Sequence, residues 1–208
     1  MFLREVTPLK NLVFNMKSFV QFILEDSTTA TTTDVALPEI YLDMDETIVD
    51  WMKGADEALE RAGKPKWNDP YWSENHTEEE AEKIKWQILN TTPNFWEDLE
   101  FLPDGKALWN FVKKYKPHIL SACGTLATTC KAGKKRWIAK FLGYKNLGNI
   151  HLVKRSQKKD YAVVDGKATI LIDDFIKNCQ EYKAHGGLAI QRTTTVEVIR
   201  KLKSLGFR

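Results

Sequence analysis

Short apolar runs alternating with helical periodicity constrain this chain more than any other feature. Residues 39–43, 117–121, 149–153, 168–172 and 187–190 are apolar runs of strand length. Residues 105–115, 133–142, 175–184 and 195–205 carry apolar side chains at three- and four-residue spacing. Strands that alternate with helices imply βαβ units and a parallel sheet, an α/β fold. The alternation breaks once. About seventy residues separate the first strand from the second, and only 104–116 are needed for a crossover helix. The remainder, about 48–102, has its own helical stretches at 52–62 and 77–89. It also concentrates the aromatics Trp51, Trp67, Tyr71, Trp72, Trp86, Phe95 and Trp96. An insertion there leaves the carboxyl end of a strand, the edge at which α/β sheets bind ligands. We read it as a small helical cap over that edge.

Composition agrees with a globular domain. Of 208 residues, 43% are apolar and 28% charged, and a chain of this length buries roughly 70% of its unfolded surface without help from disulfides or structural metal. No apolar run reaches ~18 residues, so no transmembrane helix is expected. A net charge of +3 does not call for a membrane or nucleic-acid partner. The cysteines Cys123, Cys130 and Cys179 are odd in number and lack CxxC spacing. They argue against a disulfide framework or zinc site and for a reducing compartment. Lys10 and Lys17 interrupt any signal-peptide core, and Glu5, Glu25 and Asp26 tell against a transit peptide, so the expected location is cytoplasmic. Residues 9–25 read as an amphipathic helix through Leu12, Val13, Met16, Phe19, Val20 and Ile23, followed by a Thr-rich linker at 26–34. Its apolar face is expected to pack on the domain or on a second copy, as in a homodimer. The expected division is therefore a segment 1–36 and a core domain 37–208 with its cap at about 48–102.

Acidic and polar residues collect where strands end. The first strand runs into Asp43-Met44-Asp45-Glu46-Thr47. Two carboxylates two residues apart point the same way on an extended chain, and such a pair is costly unless a cation offsets it. Hard carboxylate oxygens suit Mg²⁺. A polar turn after a strand would look the same. The fourth strand delivers Asp173 and Asp174, of which Asp174 also suits a helix N-cap. Ser121 ends the second strand, where it either caps the turn or faces the same edge. Lys131, Lys134, Lys135 and Arg136 open a helix. Such a run is either a solvated face or a phosphate site strengthened by the helix N-terminus.

Taken in order, the acid pair, hydroxyl, lysine and second acid pair resemble the four motifs of the haloacid dehalogenase (HAD) superfamily of phosphatases. The match lies at Asp43/Asp45/Thr47, Ser121, Lys134 and Asp173/Asp174, over about residues 38–192. Within that superfamily the chain looks most like the 5'(3')-deoxyribonucleotidases. Pro93-Asn94-Phe95-Trp96-Glu97-Asp98-Leu99 with Leu102-Pro103-Asp104-Gly105 is similar to their P-x-[FW]-[FW]-x-x-L…P-x-G segment. Cys130…Lys134-Lys135-Arg136-Trp137-Ile138…Phe141-Leu142-Gly143 is similar to their C…K-x-x-W-[VI]…LG helix. Two departures stand out: Glu46 where that family usually has Gly, and Ala122-Cys123 where it carries Ser-Pro.

The resemblance implies a Rossmann-like HAD core with a helical cap and Mg²⁺-dependent hydrolysis of nucleoside monophosphates. Asp43 would be the nucleophile and Asp45 the acid–base, with Ser121 and Lys134 on the phosphate. Asp43, Asp45 (through its main-chain carbonyl) and Asp173 would hold the metal. Asp174 and Thr47 would support them, and Phe95 and Trp96 would line the base and sugar pocket. The alternatives are a polynucleotide 3'-phosphatase using Lys154-Arg155…Lys158-Lys159 as a basic groove, a phosphoprotein phosphatase as Glu46 suggests, and a non-catalytic binding module.

Overall fold

The computed structural model of the protein describes residues 36–144 and 147–208. The helix expected at 9–25 and its linker lie outside the described residues. In chain order the elements are β1 (Ile40–Leu42), α1 (Trp51–Arg61), α2 (Tyr71–Asn75), α3 (Glu78–Thr91), α4 (Gly105–Val112), β2 (His118–Ala122), α5 (Cys130–Leu142), β3 (Ile150–Val153), β4 (Val163–Val164), β5 (Lys167–Ala168), β6 (Ile170–Asp173), α6 (Ile176–Ala184), β7 (Leu188–Gln191) and α7 (Thr195–Ser204). Five strands form one sheet in the order β3-β2-β1-β6-β7 with every pair parallel. This is the expected α/β architecture. β4 and β5 make a separate hairpin.

Central strands β1 and β6 are buried along their whole length, as parallel strands covered on both faces must be. Side chains alternate between two cores. Ile40, Leu42, Ile119, Ile170 and Ile172 share one face with Leu108, Val112, Ile138, Val198 and Leu202 of α4, α5 and α7. Tyr41, Leu120 and Leu171 point to the other, against Ala162, Cys179 and Tyr182.

The insertion between β1 and α4 carries α1, α2 and α3. Asp50 caps α1, and Thr77 with Glu80 forms a capping box on α3. A small cluster of Leu59, Trp72 and Ala81 is its private core. The two chain crossings pair with each other: Asp50 N–H donates to Glu100 O at 2.9 Å, and Leu102 N–H to Ile48 O at 3.0 Å. Gly105 follows directly, and a Cβ there would lie 2.4 Å from Ile48 O. Only glycine allows that approach.

Elements without a counterpart in the sequence reading include α2, the hairpin strand β4, and the 3₁₀ segment Arg155–Tyr161 that packs with α6 over the second core. Short 3₁₀ turns lack the 3.6-residue repeat on which helix recognition depends.

A histidine pair lies on that second face. His118 Nδ1 and His151 Nε2 are 2.9 Å apart, between the rings of Tyr41 and Tyr161, with Glu39 3.8 Å from His118 Nε2. Burial lowers both pKa values, and for His151 the neighbouring His118 adds to it, while Glu39 pulls His118 the other way. Groups that protonate less readily folded than unfolded leave stability complete above the ordinary histidine value of about 6.5, and lose it as the pH falls through the lowered values. Thermal melts from about pH 8 to about pH 5 should show a falling Tm. The double variant His118→Gln/His151→Gln should flatten that slope; an unchanged slope would assign it to other groups.

Candidate active site

β1 hands the chain to Asp43, whose N–H still bonds Ile172 O of β6 at 2.9 Å. Asp173 is the last residue of β6. Parallel register therefore brings two carboxylates together at one sheet edge, and both are buried, Asp173 completely. Between them sits the ammonium of Lys158, 2.9 Å from Asp43 Oδ1 and 2.6 Å from Asp173 Oδ2, and itself only 2% exposed. Burial works against its charge, but Asp43 and Asp173 together outweigh burial and hold its pKa above the usual lysine range. Asp173 moves up as well, because burial and the charge of Asp43 exceed the pull of Lys158. We place the positive charge on Lys158.

Asp173 is held on every side. Asn178 Nδ2 donates to both its oxygens at 3.0 Å, and Phe175 N–H donates to Oδ1 at 2.9 Å. Arg155 in turn donates to Asn178 Oδ1 at 3.1 Å and grips Glu181 with two nitrogens at 3.0 and 3.3 Å.

A second ammonium faces Asp45. Lys134 Nζ lies 2.6 Å from Asp45 Oδ2, 2.8 Å from Ser121 Oγ and 2.9 Å from Ala122 O. Burial raises the Asp45 carboxyl and Asp43 adds to the rise, although Lys134 opposes it. Asp174 is pushed up to about 7 by burial and then by Asp43 and Asp173. Its N–H donates to Thr47 Oγ1 at 3.1 Å. The sequence-selected residues Asp43, Asp45, Thr47, Ser121, Lys134, Asp173 and Asp174 thus occupy one sheet edge.

The donors suit a hard divalent cation. Asp43, Asp173 and Asp174 each offer a carboxylate oxygen, all within 4.8 Å of one another, and Asp43 Oδ1 has the Lys158 ammonium beside it at 2.9 Å. Asp174 thereby joins Asp43 and Asp173 as a candidate ligand, whereas the Asp45 carboxylate is turned to Lys134. A cation there would favour the ionised forms of acids that burial and mutual repulsion otherwise push toward protonation.

Lys158 is the residue the sequence reading missed, having been placed in a basic groove. The 3₁₀ segment buries it together with Ala162, and no sequence spacing marks that inward face. Phe95 and Trp96, expected in the pocket, are 6% and 3% exposed. Trp96 Nε1 donates to Thr129 Oγ1 at 3.1 Å and its ring lies 5.1 Å from Lys134 Nζ. A Cβ on Gly133 would come within 2.3 Å of Trp96 Cβ, so helix α5 seats directly on that side chain. The half-buried aromatics are instead Trp51, Trp67 and Trp86, which meet edge-on at 4.8 and 5.3 Å, with Trp86 stacked on Trp96 at 6.5 Å. Trp51 Nε1 is buried without a partner.

The cysteine expectation is corrected. Cys123 and Cys130 are joined by a disulfide, Cα atoms 5.9 Å apart. The turn between β2 and α5 folds the chain back on itself, a proximity that spacing alone does not reveal. Only Cys179 is a free thiol among the described residues, and the odd count no longer points to a reducing compartment.

No protein-family profile and no curated protein matches the sequence. Solved structures with a similar course of chain include a haloacid dehalogenase-like hydrolase from Streptococcus pneumoniae (TM-score 0.49, 11% identity, 80% of this chain and 98% of that one). L-2-haloacid dehalogenase from Xanthobacter autotrophicus gives 0.49 at 15% identity over 81% and 83%. CbbY from Rhodobacter sphaeroides, solved with phosphate, gives 0.45 at 10% identity over 76% and 90%.

Removing the Lys158 charge should be severe. Lys158→Met leaves Asp43 and Asp173 buried without a counter-charge, and breaking such a pair costs about 3–5 kcal/mol. Urea unfolding in metal-free buffer measures it. A loss below about 1 kcal/mol, the range of an exposed pair, would contradict the buried-charge assignment.

Proposed function

We propose that the chain is a Mg²⁺-dependent phosphomonoesterase of the HAD type that hydrolyses (deoxy)ribonucleoside monophosphates through an aspartyl-phosphate. The observation that carries the reading is the division of labour between two neighbouring carboxylates. Asp43 faces the Lys158 ammonium at 2.9 Å and the carboxylates of Asp173 and Asp174. Asp45 is pushed toward its protonated form by burial. Environments that separate two acids in this way suit a nucleophile and a general acid.

Asp43 attacks phosphorus as its ester oxygen leaves with the proton of Asp45. Asp45, now a carboxylate, takes a proton from the water that attacks the phosphoryl group, which frees Asp43 and inorganic phosphate. Ser121 and Lys134 hold the non-bridging oxygens, Lys134 exchanging Asp45 for phosphate. Asp43, Asp173 and Asp174, with the main-chain carbonyl at Asp45, would hold Mg²⁺, which supplies charge that lets a carboxylate approach a phosphate dianion.

For the leaving group, the aromatic wall of Trp51, Trp67 and Trp86 supports a planar, stackable partner such as a nucleobase. It is continuous with Lys134 through Trp96. Base stacking on an aromatic is worth roughly 1–3 kcal/mol. The polynucleotide alternative is weakened because two residues of the basic run are already paired, Lys158 with Asp43 and Asp173 and Arg155 with Glu181. Among the described residues no helix is long and apolar enough to cross a membrane.

A side-by-side assay with dUMP, dTMP, a 3'-phosphorylated oligonucleotide and a phosphopeptide, each with Mg²⁺, separates these readings. The nucleotides should turn over fastest, and Asp43→Asn should abolish turnover while the circular dichroism spectrum stays that of the parent. Retained activity above a few per cent would remove Asp43 from its role. Preference for the oligonucleotide or phosphopeptide would replace the substrate class.

A further inference from the structure

Glu46 stands out for its backbone and for what its side chain does. Its φ is +52°, a left-handed conformation that strains a residue without the local hydrogen-bonding habit of Asn or Asp. Its carboxylate leaves the turn and accepts Met52 N–H at 2.8 Å, while its own N–H donates to Val49 O at 2.8 Å.

Met52 is the second residue of α1, the helix that opens the insertion. The neighbouring donors are taken from the same turn: Trp51 N–H bonds Val49 O at 3.0 Å, and Lys53 N–H bonds Asp50 Oδ1 at 3.2 Å. The first-turn N–H groups of a helix lack intrahelical partners. Here three of them are satisfied by residues 46–50, the stretch that continues directly from Asp45. The first turn of α1 is thus anchored to the acid–base loop. Of these anchors, only Glu46 reaches back from beside Asp45 with a charge, complementing the positive end of the helix.

We propose that Glu46 is a positioning residue: its carboxylate pins the first turn of α1, and with it Trp51, beside Asp45, so that the aromatic wall stands at a fixed offset from the reacting phosphate. This rests on the phosphatase reading above. The position selects glutamate because a side chain of that length spans from the strained turn to Met52, at the expense of backbone strain that glycine would avoid.

Three variants separate the positioning role from a structural one. Glu46→Gln keeps a carbonyl acceptor for Met52 N–H. Glu46→Ala loses it and keeps the strained φ. Glu46→Gly loses it and relieves the strain. The readouts are kcat/KM for dUMP relative to p-nitrophenyl phosphate, Tm, and amide exchange at Met52. In Glu46→Gly and Glu46→Ala the dUMP to p-nitrophenyl phosphate ratio should fall roughly tenfold, the scale of one charge-assisted hydrogen bond, chiefly through KM for dUMP. Met52 exchange should quicken in both. Glu46→Gln should hold the ratio within about twofold, and Glu46→Gly should melt no lower than Glu46→Ala.

An unchanged ratio in Glu46→Gly, or an equal loss on both substrates, overturns the proposal. If the parent hydrolyses p-nitrophenyl phosphate but not dUMP, the nucleotide reading fails by itself. Met52 then decides: faster exchange in Glu46→Gly and Glu46→Ala but not in Glu46→Gln upholds the anchor, and equal exchange overturns it.

Discussion

Two buried carboxylates that share one buried ammonium set the terms for the rest of the structure. Removing Asp43 and Asp173 from water carries a desolvation cost that only good geometry and a counter-charge offset. Lys158 supplies the charge at 2.9 and 2.6 Å. Asn178, anchored by Arg155, supplies the remaining hydrogen bonds. The parallel register of β1 and β6 makes the juxtaposition unavoidable: Leu42 pairs with Ile172, so the next residue of each strand is an aspartate. The carboxyl oxygens crowded at that edge suit it to a hard cation.

The second half of the site is built by helix α5 and held there by packing. Gly133 lets the helix rest on Trp96, and Trp96 lies under the Lys134 ammonium. The Cys123–Cys130 bridge ties the end of β2, which carries Ser121, to the first turn of the same helix. Lys134 is therefore positioned from three directions, the preorganisation on which the proposed phosphate binding would draw. The insertion joins this assembly through Trp86 on Trp96 and through the turn after Asp45.

Much of this was legible in the sequence. Continuous apolar strands and the acids at their ends carry strong, local signals, so the parallel sheet and the placement of Asp43, Asp45, Ser121, Lys134, Asp173 and Asp174 follow from pattern and motif order. Lys158 was not legible as a site residue. Its neighbours Lys154, Arg155 and Lys159 make a run that looks solvated, and a 3₁₀ segment gives no 3.6-residue repeat to betray the inward face. The aromatics show the complementary failure. Which of Trp51, Trp67, Trp86, Phe95 and Trp96 is left half-exposed depends on how three short helices pack, and composition places all five in the insertion without ranking them. The disulfide depended likewise on a turn between β2 and α5 whose path the residues 124–129 do not announce.

The proposed function turns on the attack of Asp43 on phosphorus. It is tested most directly by trapping the covalent intermediate: acid quench during turnover of dUMP with Mg²⁺, borohydride reduction, and peptide mass spectrometry. Asp43 alone should be converted to homoserine, and only when substrate is present. Modification of a different carboxylate, or turnover with no trapped aspartyl-phosphate, would contradict it.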